Sequence, residues 1–189
     1  MKWNLSFFLV IFLYGCATPF SDTFNYQNYQ GREVVIVDID HTIADVSSAE
    51  FLFLNHTQIQ PLEGSVEVLS DLSKKHIILY LTARHEIFSE HTLLWLKHHN
   101  FPQGDVLFWN LTDFPFTDEE YKKKRISLLK NKKIKVLFGV GDKESDLNAY
   151  SAFGIKSFII NKEMKLGLNK NIFIVSSWRE IHSELNKAP

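Results

Sequence analysis

Six short aliphatic runs punctuate the chain, and helical spacing fills most of the gaps between them. The runs are Val34 to Asp38 (VVIVD), Ile77 to Leu81 (IILYL), Val106 to Trp109, Lys135 to Val140 (KVLFGV), Ser157 to Ile160 and Ile172 to Val175. They are continuous rather than alternating, which marks strands covered on both faces. Helices are expected at Gly64 to Lys75, with Val66, Val68, Leu69 and Leu72 inward, and at Glu86 to Asn100, with Ile87, Leu94 and Trp95 on one face. Further helices are expected at Asp118 to Asn131, with Ile126, Leu128 and Leu129 inward, at Ser145 to Phe153 before the cap Gly154, and at Ser177 to Lys187. Strands alternating with helices imply an α/β fold, a three-layer Rossmann-like sandwich around a mainly parallel sheet.

In such sheets chemistry gathers beyond the carboxyl ends of the strands. The first run ends in Asp38-Ile39-Asp40-His41-Thr42, where two carboxylates flank one residue and so share a side of an extended backbone. Thr82-Ala83-Arg84 follows the second run, and Gly141-Asp142-Lys143-Glu144-Ser145-Asp146 follows the fourth. The basic helix opens with Tyr121-Lys122-Lys123-Lys124-Arg125. A parallel sheet would bring these segments to one edge as a cluster of four carboxylates, a hydroxyl and an ammonium.

The order D-I-D-H-T, L-T-A-R, a lysine near a helix start, then G-D-K-E-S-D resembles the haloacid dehalogenase (HAD) superfamily over Val34 to about Asn161. The Y-K-x-x-R-like stretch is similar to acid phosphatases of that superfamily, and D-I-D-x-T with L-T-A-R is similar to lipin-type phosphatidate phosphatases. The resemblance implies a phosphomonoester hydrolase in which Asp38 attacks phosphorus and Asp40 is the general acid and base. It implies Mg²⁺ held by Asp38, the backbone carbonyl of Asp40 and Asp142, with Thr82 and Lys122 on the phosphoryl oxygens and Asp146 orienting the lysine.

Alternatives remain at several positions. Lys124 competes with Lys122, although Lys122 is three residues before Arg125 and four before Ile126. Asp146 could be a first-turn helix residue. Arg84 could bind substrate phosphate or pair on the surface, and His41 could contact substrate. His91, His98 and His99 read as surface residues rather than zinc ligands. Trp109 and Phe114 to Phe116 could line the entrance or pack in the core. The gaps Thr42 to Ile77 and His85 to Tyr121 leave no room for a separate cap domain, although Asp45 to Pro61 could form a small flap. Substrates would be nucleotides, small phosphate esters or lipid phosphates. The competing class is a non-catalytic phosphate- or membrane-surface-binding module on the same fold.

The net charge of −1 on 189 residues argues against a nucleic-acid partner. One cysteine excludes an internal disulfide framework and Cys-based zinc clusters. That cysteine, Cys16, follows Lys2 and the apolar run Leu5 to Tyr14, which is too short to span a bilayer comfortably. The ending Leu13-Tyr14-Gly15-Cys16 resembles a bacterial lipobox. The expected organisation is a signal peptide at 1–15, a tether at 16–31 whose aromatics could instead pack on the domain edge, and a catalytic domain at 32–189. The resemblance implies lipidation at Cys16 and a bacterial cell-envelope location on the outer-membrane or periplasmic side. A secreted or periplasmic protein and an uncleaved short anchor are the alternatives.

Overall fold

The computed structural model describes residues 24–51, 53–55, 57–164 and 170–187. The expected signal peptide and Cys16 lie outside the described residues. Six strands form one parallel sheet: β1 (Glu33–Val37), β2 (Ile77–His85), β3 (Asp105–Trp109), β4 (Lys135–Gly141), β5 (Lys156–Ile160) and β6 (Ile172–Val175). Their order is β3-β2-β1-β4-β5-β6, so β1 lies between β2 and β4. The α-helices are α1 (Ser48–Phe51), α2 (Ser65–Ser73), α3 (Ser89–His98), α4 (Asp118–Asn131), α5 (Glu144–Ser151) and α6 (Trp178–Asn186).

Strand periodicity divides the apolar residues between two cores. Val35, Val37, Ile78 and Tyr80 join Leu69 of α2, Trp95 of α3 and Trp178 and Ile181 of α6. Val34, Ile36, Leu79 and Leu81 join Tyr121, Ile126 and Leu129 of α4 and Tyr150 of α5. Both faces of the sheet are therefore covered, as the uninterrupted strands required. Thr117 and Glu120 start α4 with a reciprocal capping box, which satisfies donors that would otherwise be orphaned.

Four local expectations are corrected. β2 runs through His85, so Thr82 and Arg84 lie within its last turn of pleat rather than after it. A 3-10 turn at Glu86–Phe88 precedes α3 and shifts its register: Thr92, Trp95 and Leu96 are buried, whereas Ile87 and Leu94 are 71% and 45% exposed. The expected flap is bound into the first core through Val46, Phe51 and Ile59, and Trp95 Nε1 donates to the Ile59 carbonyl at 2.9 Å. Finally, the aromatics Phe24, Tyr26 and Tyr29 of the expected tether pack on the domain, the alternative given for that segment. Tyr29 is buried in the second core with its hydroxyl bonded to Asp105, and Phe24 stacks edge-on against Tyr26.

The connections after β1 and β2 contain helices packed on the sheet and no separate cap among the described residues. No helix among those residues is long and apolar enough to cross a membrane.

Candidate active site

The central position of β1 places Asp38 beside the end of β4, and the Asp38 backbone N–H donates to the Val140 carbonyl at 2.9 Å. The chain then reverses through His41, whose φ of 53° lies in the left-handed region where histidine, like asparagine, is tolerated better than most residues. The Ile39 carbonyl accepts from the N–H groups of Ile43 and Ala44 at 2.9 and 3.0 Å, closing this turn. Trp178 Nε1 donates to the Thr42 carbonyl at 2.6 Å, so the terminal helix pins the same turn. His41 itself is exposed at the surface of the site.

Lys122 is the lysine that reaches the strand ends. Its Nζ donates to Asp38 Oδ1 at 2.9 Å and to Asp146 Oδ1 at 2.5 Å, and it is 3% exposed. Burial of Tyr121, Ile126 and Leu129 sets the rotation of α4 that turns Lys122 inward. Lys124 instead pairs with Asp113 at 2.7 Å, which Arg125 also holds at 3.0 Å. The second Asp146 oxygen accepts the backbone N–H of Lys143 at 3.3 Å and, at 3.4 Å, that of Asp142. Gly141 permits this approach, since a Cβ there would lie 2.4 Å from Asp146 Cβ and Cγ.

Asp40 is held by Arg84. Nη2 donates to Asp40 Oδ1 at 2.6 Å, and Nε lies 3.1 and 3.2 Å from the two oxygens, a fork that suits a carboxylate. Arg84 Nη1 donates to Thr92 Oγ1 at 3.2 Å, and the guanidinium carbon lies 3.5 Å over the Phe51 ring. Arg84 is thus a buried anchor for Asp40 rather than a surface partner. Thr82 is fully buried, and its hydroxyl accepts the Arg84 backbone N–H at 3.2 Å.

Thr92, Phe51 and Asn161 carry site geometry that sequence reasoning missed. Asn161 Nδ2 donates to the Asp142 carbonyl at 3.1 Å, and its place directly after β5 was the available signal. Thr92, eight residues after Arg84 on α3, and Phe51 on α1 fall outside the motifs and left none.

Asp38, Asp40, Asp142 and Asp146 are all buried, against Lys122 and Arg84. Four carboxylates facing two cations leave two negative charges over. Burial pushes the Asp38 carboxyl up, and Asp146 and Asp40 add to this, although Lys122 opposes it. Burial likewise pushes Asp142 up to about 6, helped by Asp146. Burial works against the Lys122 charge, but Asp146 and Asp38 together outweigh it and hold the ammonium well above its ordinary range. These directions differ because the lysine has two carboxylates to itself while each carboxylate has like-charged neighbours.

The donor set fits a hard divalent cation. One oxygen each of Asp38, Asp142 and Asp146 lies within 4.8 Å of the others. Asp142 Oδ1 is buried with no hydrogen-bond partner among the described residues. A buried carboxylate oxygen left unpaired is costly unless a cation takes it.

The fold is HAD-like, with buried carboxylates gathered at its strand ends. A haloacid dehalogenase-like hydrolase of Xanthomonas campestris superposes with a TM-score of 0.56 at 10% identity, covering 82% of this chain and 96% of that one. A predicted phosphatase of Clostridium acetobutylicum superposes with a TM-score of 0.57 at 15% identity, covering 83% and 99%. The family model described as the LNS2 domain of PITM 1-3 matches residues 35–161, more than half of the sequence, and the chain belongs to that family. Mouse membrane-associated phosphatidylinositol transfer protein 3 is 28% identical over 145 residues, which cover 72% of this chain and 14% of that protein. The chain thus spans about one seventh of that curated relative's length.

Proposed function

We propose that the protein is a Mg²⁺-dependent phosphomonoester hydrolase working through an aspartyl-phosphate on Asp38. The observation that carries this reading is the convergence of Asp38, Lys122 and the unpartnered Asp142 Oδ1 at one strand edge. An Asp38 oxygen would attack phosphorus while the bond to the leaving oxygen breaks, and Asp40 would donate the proton that oxygen needs. Asp40, again a carboxylate, would take a proton from the water that attacks the phosphorus and returns Asp38. Arg84 holds Asp40 in place, and a carboxylate has four lone-pair directions, so the fork does not consume them all. Lys122 and Thr82 would face the transferring oxygens. Asp38, Asp142 and the Asp40 carbonyl would hold Mg²⁺, which supplies charge neutralisation between nucleophile and phosphate dianion.

Turnover of an aryl phosphate with Mg²⁺, its loss with EDTA, and an Asp38→Asn control test the reading. The second reading, a non-catalytic module that binds phosphate or a membrane surface, draws on the relative, which is described as a transfer protein rather than a hydrolase. Phosphate binding without turnover by the intact protein would establish it. The relative is also described as membrane-associated, which supports a lipid phosphate among the possible esters. A panel containing a nucleotide, a sugar phosphate and phosphatidate decides the class.

Metal affinity is expected to fall as pH drops through about 6, where Asp142 gains a proton. The metal-free fold behaves oppositely. A folded value raised above the ordinary 3.8 means that stability is fully present below 3.8 and is lost as pH rises through about 6. That loss is at most about 3 kcal/mol, and solvent screening at this partly open position lowers it. Urea unfolding across this range should therefore show decreasing stability with EDTA and much less decrease with saturating Mg²⁺. A flat EDTA profile would reject the raised carboxyl.

We also propose that Cys16 is lipidated and holds the domain at the bacterial cell envelope. Labelled palmitate fed to a bacterial host should enter the wild-type chain and not Cys16→Ser, with turnover of a soluble ester unchanged. Wild-type protein that takes up no label and stays in the aqueous phase of a detergent partition would replace the anchor with simple secretion.

A further inference from the structure

Lys156 stands on the core side of β5. Strand alternation places it with Phe158 and Ile160, which pack in the first core, whereas Ile155 and Ile159 belong to the second. Lys156 is half-buried, and its Nζ lies 4.9 and 4.6 Å from the ring centres of Phe158 and Phe173. It makes no ion pair among the described residues. The carboxylates on this edge have other partners: Lys74 holds Asp71 at 2.6 Å, and Lys135 holds Glu33 at 2.6 Å. A half-buried ammonium with no counter-charge is costly unless an anion or water reaches it. Lys156 lines a cavity of about 400 Å³ between α2, α6 and the amino ends of β4 and β5. Leu72, Leu137, Phe138 and Leu185 give this cavity apolar walls, and Lys75 adds a second cationic side chain. Phe138 precedes Asp142 by four residues, so the cavity lies roughly 13 Å along β4 from the strand-end carboxylates.

We propose that this cavity binds a small organic anion with a compact apolar body, such as an aryl-substituted carboxylate. Its volume suits a small molecule, and its few polar groups among apolar walls are the usual make-up of a ligand site. Charge selects the anion. Lys156 and Lys75 bring two positive charges, and the one carboxylate on the lining, Asp71, is already held by Lys74. The rings of Phe158 and Phe173 hold the Lys156 head in place before any ligand arrives, which reduces the ordering cost of binding. The walls select the apolar body: inorganic phosphate would leave them wet, and an acidic peptide would set polar backbone against them. An uncharged apolar molecule would leave the ammonium without its counter-charge. The site is separate from the strand-end carboxylates, and the inference stands whether or not they turn over a substrate.

Calorimetric titration of the full chain with 4-phenylbutyrate tests it, beside 4-phenylbutanol, which keeps only the apolar body, and acetate, which keeps only the charge. The first is expected to bind with a Kd of about 1 mM or below, and each of the others at least about tenfold more weakly. Amides of 72–76 and 182–186 should exchange more slowly in the presence of 4-phenylbutyrate. Lys156→Met keeps the apolar stem and should weaken binding about tenfold, with β1 and β4 amides still protected as evidence of folding. Lys75→Gln, at an exposed position, should weaken it several-fold, whereas Lys132→Gln, an equal charge change outside the cavity, should not. Equal affinity for 4-phenylbutanol would overturn the proposal, as would an affinity that Lys156→Met leaves intact, since Lys156 would then be a side chain that merely carries its head to water. Protection confined to the strand-end carboxylates would also overturn it, by placing the anion in the other site.

Discussion

Asp38→Asn is expected to abolish phosphate release from an aryl phosphate while making the metal-free protein harder to unfold at neutral pH. The catalytic loss should be on the order of 10⁴-fold or more, the scale seen when a covalent nucleophile is removed. The stability gain comes from the surroundings of Asp38. Burial raises its carboxyl despite the 2.9 Å contact with Lys122, and Asp40 and Asp146 repel its charge. A raised folded value means that charging Asp38 costs stability as pH climbs through it, and asparagine has no charge to acquire. Lys122 keeps Asp146 as its partner in the variant. The gain should show as a higher urea midpoint with EDTA, because burial together with the Asp146 and Asp40 charges outweighs the one attraction removed. Substantial steady-state hydrolysis by the variant would reject Asp38 as nucleophile. Loss of both turnover and stability would instead mean that Asp38 is a structural partner of Lys122.

Lys122→Ala should be the most destabilising charge change in the site. It leaves Asp38 and Asp146 buried against each other without the ammonium they share. Removing one partner of a buried pair costs about 3–5 kcal/mol, far above a surface ion pair. The Lys122 ammonium is held well above its ordinary range, so its contribution is fully present at neutral pH in the parent. In the variant, stability should return as the medium is acidified and the two carboxylates take up protons. Lys124→Ala should cost less than about 1 kcal/mol, since Lys124 is partly exposed and Arg125 still holds Asp113. Turnover should be lost in Lys122→Ala and kept in Lys124→Ala. The reverse order would place the working lysine two positions along α4.

All six strands are legible in the sequence because continuous apolar runs bounded by polar residues admit few other structures at that length. The carboxylate edge is legible for a related reason: Asp38 and Asp142 sit at the ends of such runs, and a parallel sheet aligns those ends. Helix faces were less legible. On Glu86 to Asn100 the apolar residues mark two stripes, and the 3-10 turn before Ser89 decides which one is buried.

Sequence order by itself determined the sheet, its reactive edge and the residue types gathered there, because backbone periodicity and strand direction are local properties. Tertiary structure decided the pairings. Spacing to Arg125 and Ile126 favours Lys122 over Lys124, and the burial of Tyr121, Ile126 and Leu129 fixes the helix rotation that turns it to the strand ends. Arg84 meets Asp40 across 44 positions, and Tyr29 meets Asp105 across 76. Such contacts arise from strand order and chain return, which place distant residues together without leaving a local pattern to read.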